Sequence, residues 1–326
     1  MKIAPNIRGR RAAAAALAGA VILAAAALAS DALRPRPGAG EGVLRVVGRL
    51  GGEPGQFVQP RSIAVDRARG CLYVTDRTGR IQRFSLSGRF ERIWRTPETR
   101  WGNPRGVAVE PGGAVLVADT HYHRILRYSP DGELLGGWGR EGDAPGEFAY
   151  PLDVAVAPDG TVYTVEYGAL DRVQRFTPEG KPIGEPWGRT GTAPGEFQRP
   201  SGVAVGPDGT VYVADAVNHR VQVFTADGEL RAIWGGLGSA LGRFRYPYDV
   251  AVDADGTVYV VEFGGGRVQA FGADGRVRGC WGGPGRELGR LASPWGVEVL
   301  EPGRIFVADT RSHRVVLVRM RPEGDR

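Results

Sequence analysis

The chain has 326 residues, of which 51 are Gly and 23 Pro, and 42% are apolar; it is too punctuated to be mainly helical and too apolar to be disordered. Its formal charge of +6 does not mark a nucleic-acid binder: Lys2, Arg8, Arg10 and Arg11 all lie in the first 29 residues with no acid among them, and the remaining 38 basic and 36 acidic residues leave +2. So small a surplus steers no polyanion, and no nucleic-acid partner is expected.

In chain order, the first element is an address. A basic start leads into an uncharged stretch over 12–29, then Ser30, Asp31 and a Pro-rich linker, the order of a secretory signal, with Ala27-Leu28-Ala29 as the cleavage site. Eighteen apolar residues also just reach across a bilayer, so anchoring to the membrane through 12–29 is the rival. Twelve of the 18 are Ala and only five are Leu, Ile or Val, a weak insertion signal that favours export with cleavage. The expected organisation is a signal peptide or membrane anchor over 1–30, a linker over 31–42, a folded domain over 43–320 and a polar tail over 321–326. The protein is expected outside the cytoplasm, in the periplasm or on its membrane.

The folded domain repeats. Pro60, Pro104, Pro151, Pro200, Pro247 and Pro294 open six units spaced by 44, 47, 49, 47 and 47 residues, the range of propeller blades. Each unit carries an apolar run such as Gly202 to Val205, then a tight turn such as Pro207-Asp208-Gly209, in which Gly takes positive φ. A second run follows and ends in an acid every time: Asp76, Asp119, Glu166, Asp215, Glu262, Asp309. The third run begins with Arg80, Arg124, Arg172, Arg220, Arg267 or Arg314, and a fourth carries Trp94, Trp138, Trp187, Trp234 or Trp281. Four strands per unit predict an all-β, six-bladed β-propeller of four-stranded antiparallel blades. The sixth unit ends after its third strand, and residues 43–55 have the pattern of the missing fourth, with Val47 in the tryptophan place. The ring is expected to close there, leaving no open edge.

The run Val211-Tyr-Val-Ala-Asp215 followed by Asn218-His219-Arg220-Val221-Gln222-Val223-Phe224 resembles the NHL repeat, and the resemblance extends over about 43–318. Units 2, 4 and 6 match best. Units 1, 3 and 5 have Gly79, Asp171 and Gly266 where the histidine would stand.

The repeated acids and arginines read as one ion pair per blade, clamping the turn between the second and third strands, and the tryptophans read as packing between blades. The equivalent His123, His219 and His313 lie too far apart around a ring to share a metal, so they read as turn-stabilising. Units 3 and 5 depart together: each adds an acid at the start of its first strand, Asp153 and Asp249, and follows its second-strand acid with an aromatic and Gly, at Tyr167 and Phe263. In a propeller these positions lie on one face beside the central channel. Asp153, Glu166, Asp249 and Glu262 are therefore the candidate ligands for a divalent cation, calcium or zinc. The residues after the opening prolines include Arg61, Arg105, Tyr248 and Trp295, a rim suited to a ligand with an anionic and an apolar part.

Two functions follow. The first is a non-catalytic scaffold of the cell envelope presenting one face to a protein, peptide or glycan, since the acids and histidines mostly repeat as structure does. The second is a metal-dependent lyase or hydrolase at the channel mouth. The resemblance extends here to the copper- and zinc-dependent peptidylamidoglycolate lyases through the repeat, and to gluconolactonase-like hydrolases through the fold. It would make Asp153, Glu166, Asp249 and Glu262 the metal ligands, with Arg61 or Arg105 polarising the substrate.

Overall fold

A computed structural model describes residues 42–320. The expected signal or anchor segment, most of the linker and the polar tail lie outside the described residues. Within them no helix is long and apolar enough to cross a membrane.

Alternating apolar runs with Gly-bearing turns fold into six sheets. Blades 1 to 5 begin at Pro60, near Pro104, and at Tyr150, Pro200 and Pro247; blade 6 begins at Gly296. Its outer strand comes from the other end of the chain: Val43–Val47 lies antiparallel to Arg314–Arg319, with Val47 opposite Val315. Val315 corresponds to Val221, which faces Trp234 in blade 4, so Val47 does occupy the tryptophan place and the ring is closed.

Blade 3 departs from the expectation of four strands throughout. Among the described residues its sheet has three, and the place of the fourth is held only by the isolated bridges of Val173 with Trp187 and Phe176 with Pro182. Pro182 and Pro186 bracket Gly184 there, and prolines without N–H groups cannot sustain a ladder.

Blades pack through their outer strands. A Cβ added at Gly132, Gly180, Gly228 or Gly275 would fall within 2.7 Å of Trp94, Trp138, Trp187 or Trp234, the tryptophan of the preceding blade. These turns need Gly twice over, for positive φ and for the indole lying against them. Trp94 further contacts Tyr73 of its own blade at 5.9 Å and Tyr128 of the next at 6.0 Å.

Candidate functional site: the channel mouth

All six blades form the turn clamp. Arg124 meets Asp119 at 2.9 Å, Arg172 meets Glu166 at 2.6 Å, Arg220 meets Asp215 at 2.7 Å and Arg314 meets Asp309 at 2.8 Å; Arg80 pairs with Asp76 and Arg267 with Glu262. In five blades a backbone N–H of the preceding connection also donates to the acid, from Val58, Ala149, Gln198, Arg245 and Ala292. Blade 2 differs: residues 96–103 do not make the loop bridge that the other five connections share, and Asp119 Oδ1 is buried without a partner. Burial raises its pKa to about 6 against the pull of Arg124.

The clamp decides against a four-carboxylate metal centre. Glu166 Oε1 accepts from Arg172 and Gln174 while Oε2 accepts from the Ala149 N–H. Glu262 repeats this with Arg267, Gln269 and the Arg245 N–H. Each carboxylate is thus engaged by the third strand of its blade through one oxygen and by the preceding connection through the other. Asp153 and Asp249 stand apart from them, and among the described residues no group of three or more His, Cys, Asp or Glu could hold a metal ion. The four acids expected to hold calcium or zinc are therefore not gathered as one set, since Glu166 and Glu262 are engaged by Arg172 and Arg267.

The histidines act between blades. Nδ1 of His313 accepts from the N–H of Gln59 in blade 1, and Nδ1 of His219 accepts from that of Tyr246 in blade 5, each at 3.1 Å. In blade 3 Asp171, at the histidine's place, accepts from the N–H of Arg199 in the same way.

At the channel itself the odd and even blades alternate. The second residue after the opening proline is Ser62, Asp153 or Asp249 in blades 1, 3 and 5, and Gly106, Gly202 or Gly296 in blades 2, 4 and 6. A Cβ at Gly106 would lie 2.3 Å from Asp153 Oδ1, and one at Gly202 would lie 2.6 Å from the Cα of Asp249. Three side chains fill the ring, and six would clash. Each reaches the next blade: Ser62 Oγ accepts from the Val107 N–H at 3.3 Å, Asp153 from Val203 at 3.0 Å and Asp249 from Val297 at 2.9 Å.

Among the described residues neither aspartate is bonded by an arginine. Burial lifts the Asp153 pKa to about 7 against its two backbone bonds and the charge of Arg105. Burial and then Asp153 itself hold Asp249 well above the carboxylate range. Deeper in the channel, in a cavity of about 220 Å³, Glu298 is raised to about 7 by burial, offset in part by Arg67. Glu298 escaped the sequence reading although a signal exists: the other five first strands carry Ala at its position, from Ala64 to Ala251.

Above the aspartates the mouth is cationic and aromatic. The guanidinium carbons of Arg61 and Arg105 lie 5.2 and 4.4 Å from the ring centre of Trp295. Trp295 meets Tyr248 edge-on at 5.6 Å, and Tyr248 stacks on Phe263 at 4.5 Å. Across the mouth Arg199 lies 5.2 Å from the ring centre of Tyr167. Arg61 Nη1 donates to the carbonyls of Asn103 and Pro104. Burial and mutual repulsion lower Arg61 to about 9, and burial with Arg199 lowers Arg105 to about 10; both stay charged at neutral pH. The cavity between arginines and aspartates is about 30 Å³, large enough for a water and too small for a substrate group.

Fold and mouth define a propeller whose cationic, aromatic rim overlies two buried carboxyls of raised pKa. The NHL repeat model matches residues 102–128, 197–224 and 244–271, so the chain carries NHL repeats on a six-bladed β-propeller. The third match falls on blade 5, which lacks the histidine, and not on blade 6; the strand pattern outweighs that one residue. Mouse peptidyl-glycine alpha-amidating monooxygenase is 36% identical over 84 residues, 24% of this chain, and the match spans 9% of the length of the mouse and rat relatives. Among solved structures, a gluconolactonase from Xanthomonas campestris aligns at a TM-score of 0.62 and 19% identity over 89% of this chain and 99% of its own. Virginiamycin B lyase from Staphylococcus aureus aligns at 0.55 and 18% over 77% and 78%. The expectation of a non-catalytic scaffold is not supported by these likenesses: the three proteins just described are enzymes by name, which fits the channel-mouth alternative.

Proposed function

We propose that the chain is a hydrolase or lyase whose site is the channel mouth, acting on a substrate with an anionic or polarised carbonyl oxygen beside a flat apolar group. The observation that carries this reading is the convergence of Arg61 and Arg105 on the face of Trp295, directly over Asp153 and Asp249. Two planar guanidinium forks suit a carboxylate or a developing oxyanion, and Arg61 is already aimed by the Asn103 and Pro104 carbonyls. Away from bulk water such donors stabilise charge forming in a transition state more than they would in solution. Asp153, raised to about 7, holds a proton for part of the time at neutral pH, the property of an efficient general acid or base. A single water in the gap beneath the arginines connects it to the substrate. Trp295, Tyr248 and Phe263 form the apolar shelf.

The names of the similar proteins supply the assay panel: a gluconolactone, virginiamycin B and a glycine-terminated peptide. Turnover of one of them is expected to fall about 100-fold in Arg105→Lys, the size of losing one oxyanion donor, with the fold intact. If no member of the panel is bound or turned over, or if Arg105→Lys leaves turnover unchanged, the mouth is not the active site.

A further inference from the structure

We infer that the crevice between blades 2 and 3 is a second ligand site, which takes a primary ammonium ion on a branched apolar body, with Glu110 as its counter-ion. It is a cavity of about 580 Å³, within the size range of small-molecule sites, and it stands whether or not the mouth is the active site. Blade 2 supplies Pro111, Ala114 and Leu135 and blade 3 supplies Pro158 and Pro178, with Glu110, Arg127 and Asp159 as the charged lining. These residues sit on the turns that follow the first and third strands and on the outer strand, at the end of the blades away from the mouth.

Three positions that recur around the ring depart from it here. In blades 1 and 3 the arginine at the fourth place of the third strand crosses to the next blade: Arg83 Nη1 donates to the Pro130 carbonyl at 2.9 Å, and Arg175 Nη1 to that of Ala226 at 2.8 Å. Arg127, their equivalent in blade 2, turns back on its own blade and donates to Glu110 Oε2 through Nε and Nη2. Its side chain is 34% exposed, against 19% and 17% for the other two. In blades 4 and 5 the outer strand lays Arg231 and Arg278 against Thr210 and Thr257; blade 2 has Leu135 and Ala114 at those places.

The acids equivalent to Glu110 are engaged by their own turns. Asp66 accepts from the N–H and Nη1 of Arg69, and Asp253 accepts from the N–H groups of Asp255 and Thr257 and from the Tyr259 hydroxyl. Glu110 is buried, and its Oε1 is enclosed with no partner among the described residues. A bare buried carboxylate oxygen is costly, so a donor that reaches it is bound well. The sign of that donor follows from the lining: Glu110 and Asp159 against Arg127 leave one negative charge, which favours a cation. The three prolines with Ala114 and Leu135 form an aliphatic surface that fits a branched hydrocarbon. The ammonium gains Oε1 as Arg127 swings to the Pro178 carbonyl, the place equivalent to Pro130 and Ala226.

The test is a titration of the full chain with isoamylamine at pH 7, read by methyl NMR. The amine should shift the methyl signals of Leu135 and Ala114, and isovalerate, a carboxylate on a similar body, should not. Glu110→Gln should weaken binding about tenfold, the loss of one hydrogen bond to a charged group. Leu135→Arg, which installs the residue that blades 4 and 5 carry, should abolish binding at an unchanged melting temperature, and it decides the matter if Glu110→Gln does not fold. Leucinamide separates the sources of the amine: binding tighter than isoamylamine assigns the site to a peptide N-terminus, and weaker binding assigns it to a free amine. The proposal is overturned if isoamylamine shifts neither methyl, if isovalerate binds as well as the amine, or if either folded variant binds like the parent.

Discussion

Two sets of buried carboxyls share this ring and are built for opposite tasks. The six at the ends of the second strands are each met by an arginine at the start of the third, and five accept a backbone N–H as well. Among the described residues, Asp153, Asp249 and Glu298 line the channel without an arginine bonded to them, and burial raises all three, Asp153 and Glu298 to about 7. The first set is paired with arginines and holds a turn; the second faces the channel without such a pair. The difference lies in whether the neighbouring strand supplies a cation, and repetition separates the two: a structural requirement recurs in every blade, whereas a chemical site breaks the symmetry.

The sharpest way to break the comparison is to strip a clamp. Arg172→Ala leaves Glu166 buried and uncompensated, and should cost about 4 kcal/mol in urea unfolding; adding Glu166→Gln should restore part of it. Arg124→Ala should cost less, because Asp119, already short of one partner and raised to about 6, can take up a proton instead. Truncating an inter-blade tryptophan comes next. Trp234→Ala removes the indole packed on Phe271 at 5.8 Å and beneath Gly275, and should cost about 3 kcal/mol, visible as a lower urea midpoint.

The smallest effect is a pH dependence. Asp153 and Glu298 rise from 3.8 and 4.5 to about 7 on folding, so the folded state binds more protons than the unfolded one between about pH 4 and pH 7. Their contribution is fully present below that window and is lost as pH rises through it. The raised clamp acids Glu166, Asp215, Glu262 and Asp309 act with the same sign, so the informative measurement is a difference. Asp153→Asn with Asp249→Asn should unfold with a shallower decline over that range than the parent; an unchanged slope would mean that the channel acids are ionised throughout.

Much of the mouth was visible in the chain as departures from the repeat. Arg61, Arg105, Tyr248 and Trp295 follow opening prolines, and propeller topology sends those positions to the mouth. The reading of Glu166 and Glu262 as channel ligands failed because their spacing is compatible with either side of the strand; only the bonds to Arg172 and Arg267 show the direction taken. Glu298 carried its own signal, an acid where every other blade has Ala, and so was legible but unread.

What the sequence by itself determined is the ring: six units, their turns and the closure of blade 6 by Val43–Val47. These rest on local periodicity, on Gly at positive φ and on Pro, all properties of short segments. What only the tertiary structure decided is the alternation of Ser62, Asp153 and Asp249 with three glycines, the aim of each carboxylate, and the stacking of two arginines on one tryptophan. These arise where first strands from six distant segments crowd one axis, and the room available to a side chain there is set by its neighbours in space.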